Sequence, residues 1–463
     1  MRHEMSKDFE LLVKGIFEII AAKQYVRARE ELLKQNAVDI AEILEEVIDE
    51  LGVEAAVIVF RMLPKDISVD VFAYLPSDDQ MEIISAITEK ELSYILDEMD
   101  FDDKIDVIEE LPATVVARIL EKTPKEERQL INTFLNYPED TAGSLMTPEY
   151  ISLYQDMTVK EALAKIRRYG MDSETVYTCY VKDQSRRLMG IVSLRSLVIN
   201  DDEMKISEIM SDDYVYINVY EDQEAVSEAF TKYGFLAMPV VDNEHRLVGI
   251  ITVDDVLEVI EEETTEDIER MAGVLADDGD MEYLDISVIS HCKSRLPWLL
   301  LLTVSLMITG VIISRFETVL EQVVVLTCYL PLLMGTGGNT GTQAATLIIR
   351  GLSLGDIELK DAFRVFWKEF RISIILGAIL SAFNFAKIIL IDQESMAIAF
   401  TVCGSILIVI MFAKLIGGLL PMLAKRLGID PALMASPMIS SLTDMVACLA
   451  YLAMASAILG IAI

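Results

Sequence analysis

"PLLMGTGGNTGTQAATLIIR" (331–350) lies inside an uncharged stretch, 323–349, long enough to cross a membrane. A plain spanning helix needs no Gly335-Thr336-Gly337-Gly338-Asn339-Thr340-Gly341-Thr342-Gln343 at its centre. In hydrocarbon, irregular backbone survives only where it is buried in protein or lines a watery cavity. Four glycines within seven residues predict that the helix unwinds here and frees carbonyl oxygens as ligands. Small residues alone would serve close helix packing. Asn339 and Gln343 add a polarity that packing does not need, so the segment reads as a pore lining.

Apolar runs flank it at 296–314, about 372–391, about 395–424 and 431–463. With 323–349 they predict five transmembrane helices, the fourth interrupted by Lys414. Asp444, in "SPMISSLTDMVACLAYLAMAS", is the only charged side chain across 431–463. A lone carboxylate at that depth is costly unless it faces water, a cation or a partner. Ser436 and Pro437, two turns earlier, would loosen the helix and add a polar group. Lys and Arg concentrate in 350–371, in Lys425-Arg426 and in Lys293 and Arg295. That bias places the N-terminal part in the cytoplasm and the chain end outside.

The polar atoms of these segments are carboxylate, amide and carbonyl oxygens. The membrane half holds no histidine beyond His291. An oxygen-only site suits Mg²⁺, Ca²⁺ or Mn²⁺, and few direct ligands favour Mg²⁺, which keeps much of its water. A divalent-cation pathway in a homo-oligomer is the reading these residues support. Cys179, Cys292, Cys328, Cys403 and Cys448 are scattered, with neither disulfide nor zinc spacing.

Charge divides the chain. Residues 293–463 hold 12 Lys and Arg against 10 Asp and Glu, leaving 27 against 65 for residues 1–292. Such acidity argues against nucleic acid as a partner and points to bound cations. The N-terminus, MRHEMSKDFELLVKG, shows no apolar core of the signal-peptide kind. Residues 1–140 read as helices only, with Pro64, Pro76, Pro112 and Pro124 spaced by 12, 36 and 12. Short helices broken at regular prolines predict a small α-superhelix.

A second repeat follows. "MTPEYISLYQDMTVKEALAKIRRYG" (146–170) aligns with "MSDDYVYINVYEDQEAVSEAFTKYG" (210–234), and "RLMGIVSLRSL" (187–197) with "RLVGIITVDDV" (246–256). Each copy predicts strand, helix, strand, Gly turn, strand, helix. The two copies resemble a CBS-domain pair. That family's adenosine signature, Gly then Ser/Thr then Asp, matches Gly249, Thr252 and Asp255 in the second copy. Ser196 stands at the acidic position of the first, so the resemblance implies ATP binding, as a regulatory ligand, at the second copy alone.

The whole order resembles the MgtE family of magnesium channels and transporters: helical domain, CBS pair, acidic linker, five membrane segments. "PLLMGTGGNTGTQAATLIIRG" (331–351) and "GIDPALMASPMISSLTD" (428–444) resemble its second and fifth membrane helices. The resemblance implies a multi-domain fold: an all-α superhelical N-domain (1–140), an α/β CBS pair (141–204 and 205–262), a plug helix (263–294) and an α-helical transmembrane domain (295–463). It implies a lipid-embedded homodimer of the inner or plasma membrane, importing Mg²⁺ through a pore lined by Asp444, Asn339, Gly337, Gly338 and Ser436. An asparagine is the family's residue where Ser436 stands. It further implies closure by cytosolic Mg²⁺ at Asp222, Glu224, Asp255, Glu258, Glu263, Glu266, Asp267 and Asp430, with Glu98, Asp102 and Gly143 in the N-domain. Gly234 stands where an aspartate is expected. The rivals are a broader Co²⁺/Mn²⁺ transporter, a CBS-regulated anion channel and a CBS-regulated membrane enzyme. The last needs a nucleophile or acid–base pair near the membrane, and the sequence offers none.

Overall fold

The computed structural model describes residues 2–275, 286–434 and 436–461. They form two compact units, residues 1–260 and 261–463, each treated by itself.

Ten helices open the first unit: α1 (Arg2–Ala21), α2 (Tyr25–Leu32), α3 (Ala37–Leu51), α4 (Val53–Phe60), α5 (Lys65–Ala73), α6 (Ser77–Ala86), α7 (Glu89–Glu98), α8 (Phe101–Glu110), α9 (Ala113–Lys122) and α10 (Lys125–Phe134). From α5 onward their N-caps are Pro64, Pro76, Thr88, Asp100, Pro112 and Pro124, an unbroken 12-residue frame. Proline ends the preceding helix by losing a donor and crowding its neighbour. In the 36-residue gap the same work falls to Thr88, which forms a capping box with Glu91, and to Asp100. The core keeps the period too: Val71, Ile83, Ile95, Val107 and Ile131 are all buried. A 12-residue repeat buries one side of each short helix on its neighbours, which is the superhelix expected.

The CBS region contains β1 (Tyr150–Tyr154), α11 (Val159–Tyr169), β2 (Thr175–Lys182), β3 (Leu188–Ser193), α12 (Leu194–Ile199) and α13 (Ile206–Ile209). The second copy is β4 (Ile217–Asn218), α14 (Gln223–Tyr233), β5 (Ala237–Val241), β6 (Leu247–Thr252) and α15 (Val253–Ala272). Each copy is a three-stranded sheet, β1-β2-β3 or β4-β5-β6, with one parallel and one antiparallel pair. The expected Gly turns are corrected. Asp183 and Asp242 build the turns by accepting two backbone N–H bonds each, at 2.7–2.9 Å and 2.8–2.9 Å. Gly190 and Gly249 lie inside β3 and β6 instead. There a Cβ would meet Ser211 O at 2.7 Å and Thr147 O at 2.9 Å. Thr147 pairs with Ile250 and Ser211 with Ile191, so each copy's leading segment closes the sheet of the other.

Helices α8 and α10 pack on the second copy. Phe101, Ile105, Ile108, Ile131 and Phe134 share a core with Ile217, Val219, Val226 and Phe230. The expected linker helix 263–294 is also corrected. Its described residues are helical in two pieces: the end of α15, which starts within the second CBS copy and stops at Ala272, and the first turns of the helix Val288–Arg315. Residues 276–285 lie outside the described residues.

The second unit adds α16 (Val288–Arg315), α17 (Glu317–Gln322), α18 (Leu326–Ser353), α19 (Ala362–Leu390), α20 (Met396–Arg426) and α21 (Ser436–Leu459). Among the described residues, four segments are long and apolar enough to span a membrane: Val288–Arg315, Leu359–Leu390, Met396–Arg426 and Pro431–Leu459. The expected fifth, α18, has 28 residues, the length of α16, with the Gly–Thr–Asn run diluting its apolar character. Its predicted unwinding does not occur; α18 is continuous. The Thr336 and Thr340 hydroxyls donate to Leu332 O and Thr336 O, each at 2.6 Å, so their polarity is satisfied within the helix. Lys414 does not break α20 either. It is buried, with Nζ 3.9 Å from the buried Glu369.

Candidate functional site

The glycines of α18 serve close packing. A Cβ on Gly337 would lie 2.9 Å from Val409, on Gly338 3.1 Å from Ser440 Oγ, and on Gly341 2.7 Å from Ile439. A Cβ on Gly417 of α20 would run into Gly341 O. Three helices therefore approach backbone to backbone. Gly337 and Gly338 lie buried in these seams, away from solvent.

Turning those glycines inward turns their polar neighbours outward. Gly335, Asn339, Gln343 and Thr346 are exposed, and their spacing of four, four and three puts them on one face of α18. Asp444 on α21 is partly exposed, one turn beyond Ser440, the residue that meets Gly338. Among the described residues no ion pair reaches Asp444. The side chain of Ser436 lies outside the described residues. A single chain thus presents a polar stripe and a partly exposed carboxylate in otherwise apolar, spanning-length helices.

A second acidic centre lies in the first unit, where α8 faces the start of α15. Asp102 is pushed up to about 7, first by burial and then by Asp103. Asp255 is also raised to about 7, by burial and then by Asp102, against the pull of the Thr252 hydroxyl. That hydroxyl donates to Asp255 Oδ2 at 2.8 Å. Burial, then Asp100 and Asp255, lifts Asp103 to about 6. Glu174 rises to about 8 through burial, then Asp102 and Asp100. Asp100, Glu149 and Glu174 each offer an oxygen within 4.8 Å of the others. Groups that resist ionisation because they are buried and, next, because they crowd one another are chemically suited to a divalent cation.

A third cluster belongs to the second unit. The Arg270 guanidinium pairs with Glu266 and lies 2.7 Å from Asp430 Oδ2. Asp267 is raised by burial and then by Asp430, and lowered by Arg270 and Arg350.

The fold therefore joins Asp102 to Asp255, and Glu266 and Asp267 to Asp430. Glu258 and Glu263 stand on the exposed or half-exposed side of α15. Asp222 is the N-cap of α14 and accepts from Glu224 N at 2.9 Å, a structural role. Glu98 is exposed at the end of α7. Gly143 is buried where a Cβ would meet Tyr137 at 2.7 Å and Val219 at 2.9 Å. Gly234 ends α14 in a left-handed conformation, φ 66°, which an aspartate adopts less readily. In the first CBS copy Ser193 and Ser196 hydroxyls lie 2.9 Å apart where the second has Thr252 and Asp255. Sequence reading missed Asp100, Asp103, Glu149, Glu174 and Arg270. Only Asp100 carried a signal, as a good N-cap residue in the 12-residue frame.

Family models match in the same order. The MgtE intracellular N domain covers residues 35–140, the CBS domain 142–201 and 206–262, and the MgtE divalent cation transporter model 330–454. The magnesium transporter MgtE of Thermus thermophilus is 40% identical over 361 residues, 78% of this chain and 79% of that protein. That of Bacillus subtilis is 33% identical over 375 residues, 81% and 82% of the two chains. A crystal structure of the cytosolic domain of the Mg²⁺ channel MgtE in complex with ATP matches with 35% identity and a TM-score of 0.50. It covers 53% of this chain and 99% of that one.

Proposed function

We propose the following function from one premise: this chain belongs to the MgtE family of magnesium transporters. It is an integral membrane protein that transports Mg²⁺. Two copies form the pore, with α18 as the fifth span, and the polar stripe of one chain faces that of the other. The observation that carries this reading is the exposed Asn339–Gln343 face of α18 beside Asp444. A polar face at membrane depth must be covered by water or protein, and a two-fold axis supplies both.

Asp444 from each copy attracts the hydrated cation, and the Asn339 and Gln343 amides bond to its water shell. Gly337 and Gly338 set the helix spacing instead of contacting the ion. The N-terminal domains lie in the cytoplasm. There Asp102 and Asp255 would hold a regulatory Mg²⁺ between the N-domain and the second CBS copy. Glu258, Glu263, Glu266, Asp267 and Asp430 add negative charge along α15 and beneath α21. A bound divalent ion replaces repulsion by bridging, which favours the closed contact. ATP, held by Thr252 and Asp255 in the second copy, is a regulatory ligand. Transport, not catalysis, is the activity.

Liposome flux tests it. Wild-type protein should carry Mg²⁺, and Asp444→Ala should abolish the flux while dimer content and melting behaviour stay unchanged. Normal flux from folded Asp444→Ala protein sinks the pore assignment. Co²⁺ or Mn²⁺ carried as fast as Mg²⁺ would favour the broader divalent reading, which the family model's description also allows.

A further inference from the structure

We propose that Arg270 is a built-in cation that latches the last turn of α15 to the membrane half, so part of the closed state is held without metal. The inference rests on the gating reading above and adds a residue to it.

Arg270 Nη1 donates to Asp430 Oδ2 at 2.7 Å, while Nη2 pairs with Glu266 one turn back. The other Asp430 oxygen accepts from Ala432 N at 2.7 Å, which fixes the carboxylate on the loop before α21. Next in sequence, Met271 packs against Ala345, Ile349 and Ile439 of α18 and α21. Gly273 (φ 76°) then turns the chain so closely against the Trp298 indole that no Cβ fits there. An ion pair, an apolar anchor and a tight turn thus fall within four consecutive residues.

A guanidinium suits this place. Its planar fork reaches carboxylates on two segments through two nitrogens, which a lysine ammonium does less well. Arg270 and Arg350 stand among Glu266, Asp267 and Asp430, so repulsion at this contact is already largely offset. A divalent ion then adds to an existing latch, and the latch sets how much Mg²⁺ closure needs.

The test uses the full-length channel in patched liposomes. At fixed, sub-saturating cytosolic Mg²⁺, Arg270→Gln should raise the open-to-closed ratio roughly fivefold, the scale of a partly exposed ion pair. Unitary conductance should not change, since Arg270 is off the polar stripe. Arg270→Lys should recover part of the effect, and Arg270→Asp with Asp430→Arg most of it. Amide exchange of Glu266–Ala272 in Asp430→Asn protein, with divalent ions chelated, reads the latch without reference to gating, because the substitution lies outside α15. It should be faster than in wild type. Unchanged exchange overturns the latch, whatever the currents do. Faster exchange with an unchanged open-to-closed ratio overturns its role in gating. Faster exchange in a protein whose wild-type current ignores cytosolic Mg²⁺ keeps the latch and refutes the gating reading instead.

Discussion

Raising the pH from 6 to 8 with divalent ions chelated should loosen the N-domain from the second CBS copy. Asp102 and Asp255 each sit at about 7 when α8 is docked, against an ordinary 3.8. A raised carboxylate binds its proton more tightly in the docked form. Its support for docking is therefore complete below about pH 4 and is lost as pH rises through 7. Between pH 6 and 8 one such group costs the docked form about 1.4 kcal/mol, a tenfold change in the docking equilibrium. Asp102 raises Asp255, so the two titrate as a coupled pair and their steps do not add. Allowing for partial exposure, the pair should shift docking roughly fivefold to tenfold. The apolar contact of Phe101, Ile105 and Phe134 with Ile217 and Phe230 opposes full release. Amide exchange across Phe101–Glu110 in the full-length protein, corrected for the intrinsic effect of pH, is the assay. Protection should fall at pH 8, return with Mg²⁺, and fall less in Asp102→Asn/Asp255→Asn protein, where the remaining acids of the centre, Asp103 and Glu174, still titrate. Equal protection at pH 6 and 8 without divalent ions would refute the crowding on which the sensor rests.

Two further outcomes follow from single sites. Gly417→Val places a side chain against Gly341 O. It should lower the melting temperature of the detergent-solubilised protein through an overpacking cost of about 1–3 kcal/mol or more, and an unchanged melting curve would show that the α18–α20 seam is looser than described. ATP should bind at one site per chain and weaken in Asp255→Asn and Thr252→Val proteins, whereas titration calorimetry with two strong sites per chain contradicts the Ser196 argument.

Local chemistry was legible in the sequence wherever it determined structure by itself. Prolines marked the helix starts, and a 64-residue offset marked the paired copies. The frame was incomplete because a helix can start without proline. Thr88 and Asp100 do that work by accepting or offering charge at the first free N–H groups, so a proline count sees a 36-residue gap where the fold has none. The glycines of α18 misled for a related reason. Glycine permits both unwinding and close approach, and its sequence alone does not say which. Facing backbones decide it: Gly341 has Gly417 opposite, a pairing 76 residues away in the chain.

The sites divide along the same line. Asp444 and Asn339 stood out because a membrane makes any polar side chain conspicuous. Nothing comparable distinguishes one carboxylate among the 65 of residues 1–292. Asp102 meets Asp255, and Asp100 meets Glu149 and Glu174, only because α8 packs on the second CBS copy through Phe101 and Ile105. The apolar contact comes first in the physical order. It supplies the free energy that forces like charges together, and the resulting strain is what a cation can relieve. Cutting that apolar contact should therefore remove Mg²⁺ sensing without touching one acidic residue. Phe101→Ala loses a buried ring and its edge-to-face partner Phe134, whose centroid lies 4.8 Å away. At about 3–5 kcal/mol for a buried Phe→Ala change, this exceeds what one Mg²⁺ bridge between partly exposed carboxylates can restore. Patch recordings of Phe101→Ala protein should show channels that stay open at Mg²⁺ concentrations closing the wild type. Closure at the wild-type concentration would mean that the acids sense Mg²⁺ without the docked N-domain, and the order of cause just given would be wrong.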